Sequence, residues 1–540
     1  MTAGPVTAGP ASAYQRLWRA DPAAWQAAAV AWRRAQPVVD RRTADIVGAA
    51  DRLRQGWTGP AASAADGRLA VLRDRLAAAG PELCVVDQVL SGYAERLSRA
   101  KAVLADWVGT ADRLGVSVDR TGRVTVDPTV TRPDGPTLAG AARVADGIAG
   151  ALALADAADA DAARRLDALA TAAAQGWPAR PPPTRPPTHA PPARVRAWWD
   201  GLTSAQRRWL IRHEPAWTGR LDGLPAAVRD QANRLVLDRR RADLVRQRGA
   251  LPDGGPGSAT LVGQARRLDR LIAGLDAVAG RLAAPTGPRA YLLALDEGSA
   301  AVSGVGGPAP TGRVIVALGD PDAAARVLTH VPGMGSGLAR AGGELARTEQ
   351  VVRRCHELAP QQATAGVLWL DYAAPAFVDE AASPLPAQRG AVDLQRFQAG
   401  LAAGRDGGDP AGLTVLGHSY GSLVVGAAAR DPQLAAESLI FVGSPGVGVD
   451  HVGELAVPAD RVWASTADDD VIRHATWPQL WPGDRLWHGQ DPSADGFGAR
   501  VFTGDAAGHL GYWAQDNPAL DAMARIVLGG EHQRDVVTRQ

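Results

Sequence analysis

The stretch Leu413-Thr-Val-Leu-Gly-His-Ser-Tyr-Gly-Ser-Leu-Val-Val-Gly-Ala-Ala-Ala429 decides how the rest of the chain is read. Leu413 to Leu416 is an apolar run of strand length, Leu423 to Ala429 is an Ala/Val/Leu run that suits a helix, and Gly417-His418-Ser419-Tyr420-Gly421 lies between them. A strand, a sharp turn and a helix in that order lift the central serine above the edge of a sheet as a nucleophile. The two glycines then stand where side chains would collide. In a chain with 61 glycines the pentapeptide alone weighs little, and its flanks must carry the argument.

The flanks alternate strand and helix from Tyr291 onward. Strands are expected at Tyr291 to Leu295, Arg313 to Leu318, Arg326 to Val331, Gly366 to Asp371, Leu413 to Leu416, Ser438 to Val442, Arg461 to Ser465 and Arg500 to Thr503. Strands spaced by helices predict a mainly parallel sheet with helices on both faces. Val305-Gly-Gly-Pro308 reads as a turn between the first two strands. Gly333-Met-Gly-Ser-Gly337 follows a strand and opens a helix, as a dinucleotide site would. Its glycine spacing is wrong, however, and about twenty residues on the chain offers Arg353 and Arg354 in place of an acid for the ribose.

A length of 540 residues with 46% hydrophobic content suits two or more domains with sizeable cores. The formal net charge of +1 gives no reason to expect a nucleic-acid partner, and Lys101 is the sole lysine. Two cysteines, Cys84 and Cys355, are too few and too far apart for a disulfide framework or a cysteine zinc site, and read as small buried hydrophobes. Met1-Thr-Ala-Gly-Pro-Val lacks the basic and apolar regions of a cleaved signal, and no apolar run reaches the ~18 residues of a transmembrane segment. The expected location is the cytoplasm, or outside the cell by a route without a cleaved signal.

The N-terminal third reads as helical. Trp18, Trp25, Trp32, Val39, Ile46 and Leu53 fall seven apart, as do Leu69, Leu76, Leu83, Leu90, Leu97 and Leu104, which predicts two helices zipped along their stripes despite Pro37 and Pro81. Gly56-Trp57-Thr58-Gly59-Pro60 is the expected turn of an antiparallel hairpin. A hairpin with Trp-x-Gly at its bend resembles the small helical substrates of type VII secretion. Without that resemblance, the stripes imply a structural or self-associating hairpin. Val116 to Val126 alternates around a glycine turn and predicts a small β-hairpin, and Leu138 to Ala174 predicts an Ala-rich helix. Residues 178–192 hold a polyproline-type stiff spacer. The expected division is a helical domain at 1–176, a Pro-rich linker at 177–193, a helical segment at 194–285 and a catalytic domain at 286–540.

Beyond the linker, Thr203 and Gln206 form a capping box that opens one helix, and Pro225 is expected in the first turn of another. Trp198-Trp199 with Leu202-Thr203, His213-Glu-Pro215, Leu221-Asp-Gly-Leu-Pro225 and Arg229-Asp-Gln-Ala-Asn-Arg234 resemble the segment preceding the catalytic domain in a family of actinobacterial α/β-hydrolases of unassigned function. The resemblance runs from about Val195 to the C-terminal end. It implies an α/β-hydrolase fold with an eight-stranded, mostly parallel sheet and its catalytic machinery, but no substrate.

Acyl transfer at neutral pH needs a nucleophile, a base, an acid to orient the base, and donors for the oxyanion. In this fold they follow in the order Ser, Asp, His. Ser419 is the expected nucleophile, with His418 packed beneath it. Thr466-Ala-Asp-Asp-Asp-Val-Ile472 offers three aspartates. The resemblance and the Asp-x-hydrophobic step favour Asp470, leaving Asp468 as the alternative acid. Of His474, His488, His509 and His532, only His509 follows the last strand through a short glycine loop, and the family has a similar Gly-His…Tyr-Trp ending. The backbone N–H groups of Met334 and Tyr420 are the expected oxyanion donors, by alignment with the family's His-Gly-x loop. Trp463, Trp477, Trp481, Trp487 and Trp513 are candidates to rim an apolar acyl pocket. The expectation is a serine hydrolase without metal or cofactor, cleaving a small-molecule or lipid-like ester. An acyltransferase, a peptidase or an idle binding module on the same fold stays open.

Overall fold

The computed structural model describes residues 10–126, 135–176, 184–186, 190–251, 259–296, 312–405, 411–476, 488–505 and 508–536. The turn at Val305-Gly-Gly-Pro308, most of the Pro-rich stretch, and Trp477, Trp481 and Trp487 lie outside the described residues. The chain divides into two compact units, Met1–Pro178 and Ala179–Gln540.

Unit 1 comprises α1 (Pro10–Arg19), α2 (Pro22–Gly56), α3 (Pro60–Arg113), β1 (Val116–Val118), β2 (Val124–Val126) and α4 (Gly135–Ala174). Pro22 and Pro60 open their helices where a missing N–H costs nothing, and the Asp21 carboxylate accepts the N–H of Ala23 at 2.9 Å as the N-cap. Trp57 to Gly59 turns α2 back along α3, and both helices run on through Pro37 and Pro81. β1 and β2 pair antiparallel.

The stripes do not face one another as their period predicted. Trp18, Trp25 and Trp32 are 42–49% exposed, and the buried positions of α2 are instead Ala29, Val30, Arg33, Gln36 and Ala50. Arg33 donates to both carboxylate oxygens of Asp87 on α3 at 3.1–3.3 Å, so an ion pair of buried side chains occupies this seam. The leucine stripe is buried only from Leu90 on, where Leu97 and Leu104 pack with Tyr14 and Leu17 of α1 and with Val144, Ile148 and Ala151 of α4. A seven-residue period shows that a face can pack, not which neighbour takes it. By length and composition α4 is apolar enough to cross a membrane, although much of that apolarity is alanine; Val144 and Ile148 pack in the core with Leu97 and Leu104 of α3, while Leu138 and Leu154 are exposed.

Unit 2 opens with α5 (Pro192–Asp200), α6 (Ser204–His213), α7 (Pro215–Thr218), α8 (Ala226–Gly249) and α9 (Ala259–Ala283). The capping box of Thr203 and Gln206 is formed, while Pro225 is the N-cap of α8, one residue ahead of its first turn. Part of the Pro-rich stretch is docked rather than free. The indole N–H of Trp198 donates to the Thr184 carbonyl at 3.1 Å, and Arg185 pairs with Glu214 and lies over the Trp217 ring. A polyproline-like backbone leaves its carbonyls unpaired, which makes them acceptors for such donors.

The sheet strands are β3 (Ala290–Asp296), β4 (Arg313–Leu318), β5 (Arg326–Val331), β6 (Thr364–Leu370), β7 (Gly412–His418), β8 (Ser438–Val442), β9 (Val462–Ser465) and β10 (Arg500–Val501). Their order is β10-β9-β8-β7-β5-β6-β4-β3, with only the β3–β4 and β4–β6 pairings antiparallel. Between them run α10 (Ala341–Leu358), α11 (Val378–Ala381), α12 (Leu385–Gly404) and α13 (Tyr420–Ala429), and after them α14 (Pro518–Leu528) and α15 (Gly530–Arg534). Alternate strand residues serve the two faces. Val415 and Phe441 pack with Leu394 of α12 and Val424 of α13, whereas Leu416 and Ile440 pack with Val351 of α10 and Met523 of α14. This is the α/β-hydrolase fold expected from the sequence.

The Arg229-to-Arg234 motif of α8 serves the edge strand β3. Asp230 accepts the Leu292 N–H at 2.8 Å, Asn233 donates to the Leu292 carbonyl at 3.0 Å, and Arg229 and Arg234 donate to the Leu293 and Ala290 carbonyls. Side chains thus take the backbone groups that an edge would otherwise offer to another chain.

Candidate active site

Ser419 sits at φ 54°, ψ −132° and is the only non-glycine residue with positive φ among the described residues. Such strain persists only where the surroundings over-determine it, and here they do. A Cβ on Gly417 would stand 2.5 Å from Ser422 Cα, and one on Gly421 would stand 2.1 Å from the Val331 carbonyl oxygen. The Ser422 hydroxyl bonds the Ser419 carbonyl and the Ser444 hydroxyl, and the Ser419 N–H donates to the Val442 carbonyl at 3.0 Å. The turn is therefore clamped between β7, α13 and the end of β8.

Asp470 follows β9 and His509 follows β10. His509 Nδ1 lies 2.8 and 2.9 Å from the two Asp470 carboxylate oxygens, so Nδ1 carries the proton and Nε2 is free to accept one. Asp470 also accepts the Ile472 N–H at 2.9 Å and the Tyr512 hydroxyl at 2.6 Å. Burial raises the Asp470 pKa, but the bonds from His509, Tyr512 and Ile472 outweigh it and hold the carboxyl below the usual carboxylate range. The Tyr512 oxygen in turn accepts the Ala467 N–H at 3.0 Å, stapling the turn of Asp470 to the loop of His509.

The three aspartates separate by what they touch. Asp468 is exposed and pairs with Arg473, and Asp469 accepts the Gly508 N–H at 2.9 Å, one residue before His509. Only Asp470 meets His509.

His418 turns its ring away from the serine turn. It lies 4.7 Å from the His509 ring and 4.9 Å from that of Trp513, and its Nε2 bonds the His509 carbonyl at 3.0 Å. Burial, reinforced by the neighbouring His509 and His330, pushes it well below the ordinary histidine range, so it stays neutral and serves as a prop. His488 bonds the Ala381 carbonyl at 2.7 Å, His532 lies on α15, and the His474 side chain is outside the described ones.

The loop after β5 reaches Ser419. A Cβ on Gly333 would stand 2.5 Å from Ser419 Cβ, so only glycine lets the strand end come this close, and Met334 follows it. The Tyr420 N–H, at the first position of α13, has no acceptor within its own helix. The loop is held from behind, since the Tyr372 hydroxyl donates to the Pro332 carbonyl at 2.6 Å and the Gly335 N–H to the Pro375 carbonyl at 2.7 Å. Tyr372 and Tyr512 escape a sequence reading. Tyr512 is visible only as part of the Gly-His…Tyr-Trp ending, and Tyr372 carries no signal.

The tryptophans correct one expectation. Trp463 is buried in β9 beneath Arg500, and Trp513 is buried against His330 and His418, so neither rims a pocket. Both indoles are packed against cationic and imidazole side chains rather than presented to a ligand.

Residues 307–482 match a family model described as alpha/beta hydrolase. An uncharacterized protein of Mycobacterium tuberculosis is 30% identical over 374 residues, covering 62% of this chain and 55% of that protein. An uncharacterized protein of Mycobacterium bovis is 30% identical over 164 residues, 29% of this chain and 61% of that protein. The chain thus spans little more than half the length of the curated relatives it matches. No solved structure matches it. The similarity to actinobacterial α/β-hydrolases of unassigned function therefore stands, and no relative's name supplies a substrate.

Proposed function

We propose that the protein is a serine hydrolase that cleaves a carboxylic ester through an acyl-enzyme. The observation that supports this most is the Asp470–His509 pair at 2.8–2.9 Å at the ends of β9 and β10, with a serine held at positive φ at the end of β7 in the same sheet. In this reading Ser419 Oγ attacks the acyl carbon as His509 Nε2 takes its proton. Asp470 holds the imidazole in its productive tautomer and stabilises the imidazolium. The N–H groups of Met334 and Tyr420 receive the oxyanion. His509 then returns the proton to the leaving alkoxide, and water repeats the sequence to free the acid. We further propose that unit 1 takes no part in the chemistry and serves association, its exposed tryptophan stripe being the surface offered. The test is covalent labelling by a fluorophosphonate followed by nitrophenyl ester turnover. Labelling at Ser419 that is abolished in His509→Ala is expected, whereas labelling of folded Ser419→Ala protein overturns the assignment.

A further inference from the structure

Asp470 and His509 come from separate loops, and one side chain spans the two. Tyr512 lies three residues after His509, beyond a turn closed by the Gly511 N–H on the Gly508 carbonyl at 3.3 Å, and its hydroxyl returns to Oδ2 of Asp470 at 2.6 Å. The other oxygen, Oδ1, takes the Ile472 N–H at 2.9 Å, so each carboxylate oxygen has one fixed donor besides His509 Nδ1. A phenol carries a single hydrogen. The Ala467 N–H, 3.0 Å away, can only donate to the Tyr512 oxygen and the carboxylate can only accept from it, so that hydrogen points at Asp470. Burial, with the bond to Asp470 and the charges of Asp470 and Asp491, pushes the phenol above its ordinary range against the opposing Ala467 N–H, and Tyr512 remains a donor through neutral pH.

Little else reaches this carboxylate. It is buried against Gly443 at the end of β8, where φ is +54° and a Cβ would stand 2.8 Å from Oδ2 and 3.2 Å from the His509 ring. The charged and titratable groups facing the pair are engaged elsewhere. His418 bonds the His509 carbonyl, Asp469 the Gly508 N–H, and Asp468 pairs with Arg473. Asp491 takes the N–H and hydroxyl of Ser493, both at 2.8 Å, and Arg347 and His330 lie against Trp513. Among the described residues, His509 and Tyr512 are thus the two side chains that bond Asp470. A charge-assisted bond of this kind draws charge from the carboxylate and fixes its rotation. We infer that Tyr512 is a positioning residue of the proposed reaction: it fixes which way Asp470 faces and how much of the carboxylate's charge the His509 imidazolium feels. The inference rests on the hydrolase reading for its effect on turnover but not for its effect on the His509–Asp470 pair.

Full-length wild type, Tyr512→Phe and a protein carrying a fluorotyrosine in place of Tyr512 are compared on a soluble nitrophenyl ester between about pH 5 and 9. Phenylalanine removes the donor. The fluorinated phenol is a stronger donor of nearly the same shape and keeps the Ala467 N–H satisfied, which guards against a loss of fold. Tyr512→Phe should lower kcat about tenfold with KM within about twofold. It should also move the acid limb of kcat/KM up by about half a pH unit, because a carboxylate with one donor fewer stabilises the imidazolium more. The fluorinated protein should move that limb down. The His509 Nδ1 proton, followed far downfield by proton NMR and identified by its loss in His509→Ala, should titrate with the same opposite displacements. A limb and a proton that stand still, or that move the same way in both replacements, overturn the inference; if the wild type still turns over esters, the hydrolase reading stands. Opposite displacements of the proton in a protein that neither turns over esters nor labels with a fluorophosphonate sustain the role of Tyr512 and remove the hydrolase reading.

Discussion

The two units use apolar periodicity in opposite ways. In unit 2 apolar strand positions on both faces of the sheet pack under helices, and the polar side chains of α8 are committed to partners, as in the bonds of Arg229, Asp230, Asn233 and Arg234 to β3. In unit 1 the most regular stripe of the chain is left half in solvent, and the α2–α3 seam holds an ion pair instead. A pattern fixes a structure only where geometry supplies its partner. Unit 2 should accordingly be intolerant of small changes at its centre, and unit 1 tolerant of large ones.

The largest expected effect is at the proposed nucleophile. Ser419→Ala should lower turnover by up to ~10⁶-fold with the melting transition intact, and His509→Ala should cost a similar amount because triad members act as a unit. Next comes the acid: Asp470→Asn should cost about 10⁴-fold by favouring the wrong histidine tautomer. Asp469→Asn, which weakens one bond to the Gly508 N–H, should cost about fivefold, and Asp468→Asn less. Steady-state kinetics on one soluble ester ranks all three, and a crippled Asp468→Asn would contradict the geometry.

Packing tests the same contrast. Gly421→Ala places a methyl 2.1 Å from the Val331 carbonyl and should destabilise unit 2 by at least ~3 kcal/mol. Trp32→Ser, on the exposed stripe, should cost unit 1 under ~1 kcal/mol. Urea titration followed by circular dichroism compares the two.

Asp371, at the end of β6, supplies a pH-dependent case. Burial pushes its carboxyl up to about 6, only partly opposed by Arg220 and Arg313. A raised carboxylate pKa makes ionisation costly in the fold. The cost is absent below the unfolded value near ~4, grows between there and 6, and is complete above 6. Asp371→Asn should therefore stabilise the protein by up to ~3 kcal/mol at pH 8 and hardly at all at pH 4. Melting curves across that range check both sign and window.

The smallest expected effect is the removal of unit 1. A chain beginning at Ala179 should hydrolyse soluble esters within about twofold of the full-length rate. One beginning at Pro191 should lose ~1–2 kcal/mol more stability, because it lacks Arg185 and Thr184 and their bonds to Glu214 and Trp198. Sedimentation of the full-length and shortened chains tests the association proposed for the tryptophan stripe, and two monomers would remove it.

The eight strands, their mainly parallel pairing and the serine turn were legible in the sequence, because strand period, flanking glycines and helix signals are local properties of adjacent residues. The capping box at Thr203 was legible for the same reason. What could not be read locally was partnership. Three consecutive aspartates have nearly the same local chemistry, and only the fold brings Asp470 to His509, turns Asp469 to Gly508 and leaves Asp468 at the surface. Tyr372 and Tyr512 act across 40 and 42 residues of sequence, on Pro332 and Asp470, distances at which period carries no information. The tryptophan stripe makes the same point from the other side. Its spacing was determined by the sequence, and its exposure was decided only when α1, α3 and α4 buried the leucines against one another.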